Sequence, residues 1–301
     1  MTAPAGVDGG RVRGSSGVSL ASTLDRHLES PSLALPVCPE SAARVLQELE
    51  AEGADAEALQ RIVGRDPALV VCLLREANGP EFDALERVAT IERALSRLGE
   101  ERVAGLVGST VTNARLEGGD PVLTQALHHA WKRSLAIALV APTIAARTGD
   151  EDLAQDAHLL GLLSDVGVVF LISALHAQRT QRGDRPPLTA VAEREVLDQL
   201  QQAYGIRVLE HWNFPPGALA VLAGRPADRD EQRQSLFLRV ARQVVSSIGL
   251  PPVGGEGEGA DANELWELAE ALELSTVDVA ALQVHAEDLV ASLNAEPAAG
   301  S

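Results

Sequence analysis

Aromatic side chains are scarce in this sequence. Four Phe, three Trp and one Tyr make up 3% of its 301 residues, so any core must be built from aliphatic groups. Lysine occurs once, as Lys132, and 25 Lys+Arg face 43 Asp+Glu for a net charge of −18. No basic patch offsets that charge, and such a chain repels phosphate backbones and anionic lipid heads. Nucleic acid and membrane surfaces are therefore not expected partners. Two cysteines, Cys38 and Cys72, make no disulfide framework and lack C-x-x-C spacing; they read as small apolar residues. The first residues, MTAPAGVDGGRVRGSSG, have no apolar segment of the secretory kind. The most membrane-like stretch, Leu159–Ala177, carries Asp165 in its interior with Gly161 and Gly167 to either side, and a mid-span carboxylate is costly in lipid. It reads as two buried core helices. The expectation is a soluble, reduced, cytoplasmic protein.

What is present is helix. Hydrophobic residues reach 46% and charged residues 23%, a globular balance for one large or two smaller domains. Alternating Val/Thr/Tyr runs and Asn-Gly turns are missing. Pro39 opens a helix ending near Gly53, and Asp55 caps the next. Asp66-Pro67 places a capping carboxylate before a proline at the first helical position, for a helix reaching Gly79. Thr90 starts another, closed by Gly99, and Glu100–Leu116 follows until Gly118-Gly119. Asp120-Pro121 begins the longest helix, running to about Arg147, with a kink expected at Pro142. Leu153–Leu163, Val166–His176, Leu188–Ala203, Ile206–Trp212, Ala218–Ala223 and Gln232–Ile248 complete the series, with Leu265–Leu272 and Val277–Leu293 as a last pair. The fold class is all-α. Residues 1–18 and 295–301 read as disordered tails, 19–250 as the main domain, 251–261 as a flexible linker and 262–294 as a C-terminal helical pair. On this reading the main domain folds without the pair.

Recognisable catalytic motifs are absent: no GxxxxGK[ST], no G-x-G-x-x-G after a strand, no H-E-x-x-H. The glycines of 254–259 alternate with Glu256 and Glu258, which would repel phosphate. The seven histidines are His27, His128, His129, His158, His176, His211 and His285. Neighbours such as His128 and His129 point about 100° apart on a helix and do not easily share an ion. Trp131 and Trp212 read as core anchors rather than ligand platforms.

A series of short patterns then occurs in order. Leu35-Pro36-Val37-Cys38-Pro39-Glu40 comes first, then Asp66-Pro67-Ala68-Leu69 running into Leu73-Leu74-Arg75-Glu76-Ala77-Asn78. Ala94-Leu95-Ser96-Arg97-Leu98-Gly99 and Trp131-Lys132-Arg133-Ser134-Leu135-Ala136 follow. Next are Gly161-Leu162-Leu163-Ser164-Asp165-Val166-Gly167, Ala192-Glu193-Arg194-Glu195-Val196-Leu197, and Gly205 leading into Leu209-Glu210-His211-Trp212-Asn213-Phe214-Pro215. The series resembles the HD-related output domain (HDOD) family of bacterial signalling proteins over about residues 30–250. The resemblance implies a multi-helix HD-like bundle, related to HD and HD-GYP metal phosphohydrolases whose metal ligands this family has partly or wholly lost. Matched by position, the long-helix His is Arg133, the His of the His-Asp pair is Ser164 beside a retained Asp165, and a later His is Gln201. A final His pair falls on Ala223 and Gly224, and no His lies between His211 and His285.

One carboxylate cannot hold a catalytic metal, and Arg133 puts a permanent cation where a ligand would stand. Accordingly no catalytic, cofactor-binding or metal-ligating residue is assigned. The function expected is a non-enzymatic bacterial signal-transduction domain acting through protein–protein contacts. By resemblance its partners are a response regulator, a kinase or a cyclic-di-GMP enzyme reached in trans. The alternative is a divergent metal-dependent phosphohydrolase using Asp165 with His128, His129 or His158. A third reading, DNA binding by the C-terminal pair around Leu274-Ser275-Thr276-Val277, is opposed by the absence of Lys and Arg from Leu265–Leu293. The degenerate positions Arg133, Ser164, Asp165 and Gln201 suggest either an Arg133–Asp165 ion pair in the metal's place or a carboxylate that caps the helix starting at Val166.

Overall fold

Helix starts follow the local chemistry. Asp66 is extended, and its Oδ1 accepts from the backbone N–H groups of Ala68 and Leu69 at 2.8 and 3.1 Å, filling two of the donors that a helix start leaves open. Thr90, Asp228 and Asp261 cap in the same way. In this computed structural model the described residues are 20–30, 33, 35–50, 56–82, 87–88, 90–113, 121–182, 190–253 and 260–295. Expectations on residues 1–18, Gly53, Asp55, Gly118–Asp120, 254–259 and 296–301 lie outside them. Among the described residues the regular structure is helical, with no strand.

Two units result, Met1–Leu33 and Ala34–Ser301. The first contains α1 (Leu20–Leu28). The second opens with α2 (Pro39–Glu50), α3 (Ala56–Val63), α4 (Pro67–Ala77), α5 (Ile91–Leu98) and α6 (Glu100–Asn113), which pack mainly on one another. It continues with α7 (Pro121–Arg147), α8 (Ala154–Leu163), α9 (Val166–Arg182), α10 (Ala190–His211), α11 (Pro216–Leu222) and α12 (Arg229–Ser247). Last come α13 (Ala262–Ala271) and α14 (Thr276–Ala295). Helix α7 is the axis of this part, touching α8, α9, α12 and α14, and α4 reaches both α7 and α8. Its middle is small and aliphatic: Ala136, Ile137, Ala138, Val140 and Ala141 are all fully buried.

Three glycines decide how closely the central helices approach. A Cβ on Gly161 would lie 2.6 Å from the Ala138 Cα, so α8 rests directly on the α7 backbone. A Cβ on Gly167 would fall 1.8 Å from the Gln201 carbonyl oxygen, and one on Gly205 3.2 Å from the Gly167 nitrogen. Here α9 and α10 meet backbone to backbone. The sequence pattern separates Leu188–Ala203 from Ile206–Trp212 around Gly205; in the structure α10 instead runs unbroken from Ala190 to His211. The contact with α9 supplies the reason for a glycine there, and tertiary packing outweighs its roughly 1 kcal/mol cost in a helix.

The apolar stretch Glu151–Gln178 has the length and hydropathy of a membrane span, but 83% of its most apolar window is buried inside the protein. It is divided between α8 and α9 at Ser164-Asp165. The C-terminal pair is also covered: Leu265, Leu268, Leu272, Val279, Leu282 and Ala286 are buried, α13 lies on α12, and α14 lies on α7 and α12. Ion pairs Arg147–Asp278 at 2.9 Å and Arg239–Glu264 at 2.7 Å tie it to those helices. The pair thus shares one compact unit with the residues before it.

Candidate functional site

The close approaches of α8 to α7 and of α9 to α10 converge on the segment between Gly161 and Gly167. Asp165 stands there, 5% exposed, and faces Arg133 of α7, 4% exposed. Nη1 of Arg133 donates to both carboxylate oxygens, at 2.6 and 2.8 Å. One nitrogen bridging two oxygens is not the parallel fork that arginine often makes, and it leaves the buried Nε of Arg133 without an acceptor. The Asp165 carbonyl, not its carboxylate, accepts from Val168 and Val169, so the side chain is spent on the ion pair rather than on capping α9.

Ser164 closes α8, and its buried Oγ has no hydrogen-bond partner. Gln201, on α10, is half-buried. The four residues singled out in the sequence, Arg133, Ser164, Asp165 and Gln201, line one pocket of about 290 Å³. The structure therefore brings together residues spread over 69 positions of sequence (133 to 201, inclusive). It adds one that the sequence reading missed. Arg242 of α12 lines the same pocket, partly buried, with no hydrogen bond or ion pair among the described residues. Loss of hydration pulls its guanidinium down to about 10, with the nearby Arg133 adding to the fall and Asp165 opposing it. No motif marks Arg242 in the sequence, where it is one of many arginines on an amphipathic helix. Asp198 stands exposed among the lining residues.

These residues do not fit the metal that the HD relatives would imply. Among the described residues no three His, Cys, Asp or Glu side chains come together, and at the pocket two guanidiniums face one buried carboxylate. Nor are the histidines of the alternative reading placed to help. His128 packs edge-on against Trp131 at 5.4 Å between ring centres. His129 Nε2 is 2.7 Å from the Pro251 carbonyl. Both ring nitrogens of His158 meet carbonyl oxygens, of Ala138 at 2.8 Å and Gly64 at 3.0 Å. None of the three lines the pocket.

The remaining singled-out residues are structural in position. Trp131 and Trp212 are buried at 7% and 6% exposure, and the Arg75 guanidinium lies 5.4 Å from the Trp212 ring centre. Cys72 is buried against Thr110, with Sγ and Oγ1 3.2 Å apart; burial pushes its thiol up. Cys38 is half-buried, and its N–H donates to the Asp66 carboxylate at 2.7 Å.

Comparison with known proteins agrees with this architecture. The family model of the HDOD domain matches residues 35–224. Among curated proteins, an uncharacterised protein of Treponema pallidum (strain Nichols) is 23% identical over 185 residues, 60% of this chain and 35% of that one; the match thus spans about a third of the relative's length. Among solved structures, the MmoQ response regulator of Methylococcus capsulatus (strain Bath) superposes with a TM-score of 0.60 at 24% identity, covering 85% of this chain and 99% of that one. A fragment of the same regulator is 28% identical, with a TM-score of 0.57 over 82% and 94% of the two chains. A virulence factor of Campylobacter jejuni shares the fold at 16% identity and a TM-score of 0.55, over 90% and 99%.

Proposed function

Because the chain belongs to the HDOD domain family, we propose that it is a non-enzymatic signal-transduction domain of the cytoplasm, acting by protein–protein contact. The observation that carries the reading is the buried Arg133–Asp165 ion pair, which occupies the place where the related hydrolases would need ligands. A guanidinium at that position repels a divalent cation, while Ser164 and Gln201 offer neutral oxygens in place of imidazoles. The site thus holds its helices together electrostatically, and its buried carboxylate is committed to Arg133. The signalling context is supported by likeness to the MmoQ response regulator, 28% identical over the matched fragment. By that analogy the partner is another signalling protein, such as a response regulator, a kinase or a cyclic-di-GMP enzyme.

The test is made on the full chain. Protein purified without chelator and assayed for iron, manganese and zinc should hold well under one equivalent, and should not hydrolyse phosphodiesters when these ions are added. One equivalent of metal together with turnover that is lost in Asp165→Ala would overturn the reading.

A further inference from the structure

Resting on the non-catalytic reading of this pocket, we infer that it is a binding site for a small phosphorylated molecule, with Arg242 as the residue that recognises the phosphoryl group.

The donors are present and uncommitted. Arg242 makes no hydrogen bond or ion pair among the described residues, although it is partly buried. Gln201, half-buried, adds a free amide on the same pocket. Buried polar groups are nearly always hydrogen-bonded, so a partly buried guanidinium with no partner, set beside a half-buried amide on one cavity, calls for a ligand that satisfies both. Every one of these groups can donate. A phosphoryl dianion offers three oxygens, enough to engage a guanidinium and further donors together, whereas one carboxylate would be used up on Arg242 alone.

Charge points the same way. The chain carries −18 overall, yet the pocket sets Arg133 and Arg242 against the single buried carboxylate of Asp165, already engaged by Arg133. Asp198 opposes this from an exposed position, where water screens it. Size limits the ligand further. A volume of about 290 Å³ lies at the bottom of the ~300–1,000 Å³ range of ordinary ligand pockets, which suits one phosphate ester on a small body and not a dinucleotide. Arg242 lies on α12, beyond residues 35–224, the extent of the family match. The ligand would bridge α7 and α12, the two helices on which α14 rests.

Inorganic phosphate is the probe. Titrated into the full chain in the presence of EDTA and at matched ionic strength, it should bind saturably in the millimolar range, and acetate at least tenfold more weakly. Arg242→Gln should weaken phosphate at least tenfold with an unchanged circular dichroism spectrum. Arg242→Lys, which keeps the charge, should fall between. Absence of saturable phosphate binding to the wild type, equal binding to Arg242→Gln, or acetate binding as well as phosphate each overturns the proposal and leaves the non-enzymatic reading standing. Phosphate binding that appears only with an added divalent ion overturns both.

Discussion

A thermodynamic cycle on Arg133 and Asp165 tests the account of the site. Both side chains are almost fully buried and joined at 2.6 and 2.8 Å. Removing one partner of such a pair strands the other charge, at a cost of about 3–5 kcal/mol, while replacing both with apolar groups of similar size is often near neutral. The two single replacements are not equivalent here, because Arg242 feels both charges. Arg133→Met leaves Asp165 with a second guanidinium nearby, so its cost falls at the low end. Asp165→Leu leaves two guanidiniums facing each other in a half-dry pocket, so its cost falls at the high end. For a unit spanning residues 34–301 the unfolding entropy is about 0.6 kcal/mol/K, which converts 3–5 kcal/mol to a fall in Tm of about 5–9 °C. The double variant should melt above either single one, and the summed single costs should exceed the double by at least about 2 kcal/mol. Urea unfolding followed by circular dichroism measures all four proteins. Additive costs would show that the contact does not couple the residues; a larger loss for Arg133→Met than for Asp165→Leu would refute the role given to Arg242.

Other outcomes follow from residues outside the pair. Burial pushes the Asp66 carboxyl up to about 6 against the pull of hydrogen bonds from Leu69, Cys38, Ala68 and Ser41. Its folded value thus lies above the ordinary 3.8, so this group's contribution is fully present below about pH 4 and is lost as pH rises through 6, by about 3 kcal/mol. Between pH 4 and 7 the wild type should lose more stability than Asp66→Asn by that amount, on top of the slope that other carboxyls such as the half-buried Asp156 give both proteins; parallel curves would refute it. Gly167→Ala should cost about 3 kcal/mol or more, because its Cβ would strike the Gln201 carbonyl at 1.8 Å, while Gly205→Ala, with 3.2 Å available, should cost much less; equal thermal melts would remove the close-approach argument. Ending the chain at Leu250 uncovers the surfaces of α7 and α12 that α13 and α14 bury. At about 1.5–3 kcal/mol per buried leucine, Tm should fall by more than 10 °C, and an unchanged melt would show the pair to be dispensable.

The helices were legible because their signals are local. Asp66-Pro67, Thr90 and Gly99 act within one or two turns of their own chain, and the structure shows Asp66 and Thr90 capping and Gly99 at φ 74°. Periodicity placed the apolar stripes, and the order of short patterns pointed to the HDOD fold and singled out Arg133, Ser164, Asp165 and Gln201, which line one pocket. Gly205 shows where local reasoning stops. A glycine breaks a helix or admits a neighbouring backbone, and only the presence of Gly167 on α9 decides between the two. The C-terminal pair is a similar case, since a glycine-rich connection such as 254–259 says nothing about what its two ends pack against. Arg242 is the clearest. In sequence it is one cation on an amphipathic helix, 77 residues after Asp165 (242 − 165). What sets it apart is the arrival of α12 beside α7, which places it on a pocket whose buried carboxylate Arg133 has already taken. Local hydrogen bonding and hydrophobic period belong to the chain as written. Which charges share a cavity depends on helix packing across long sequence distances, and only the tertiary structure decides that.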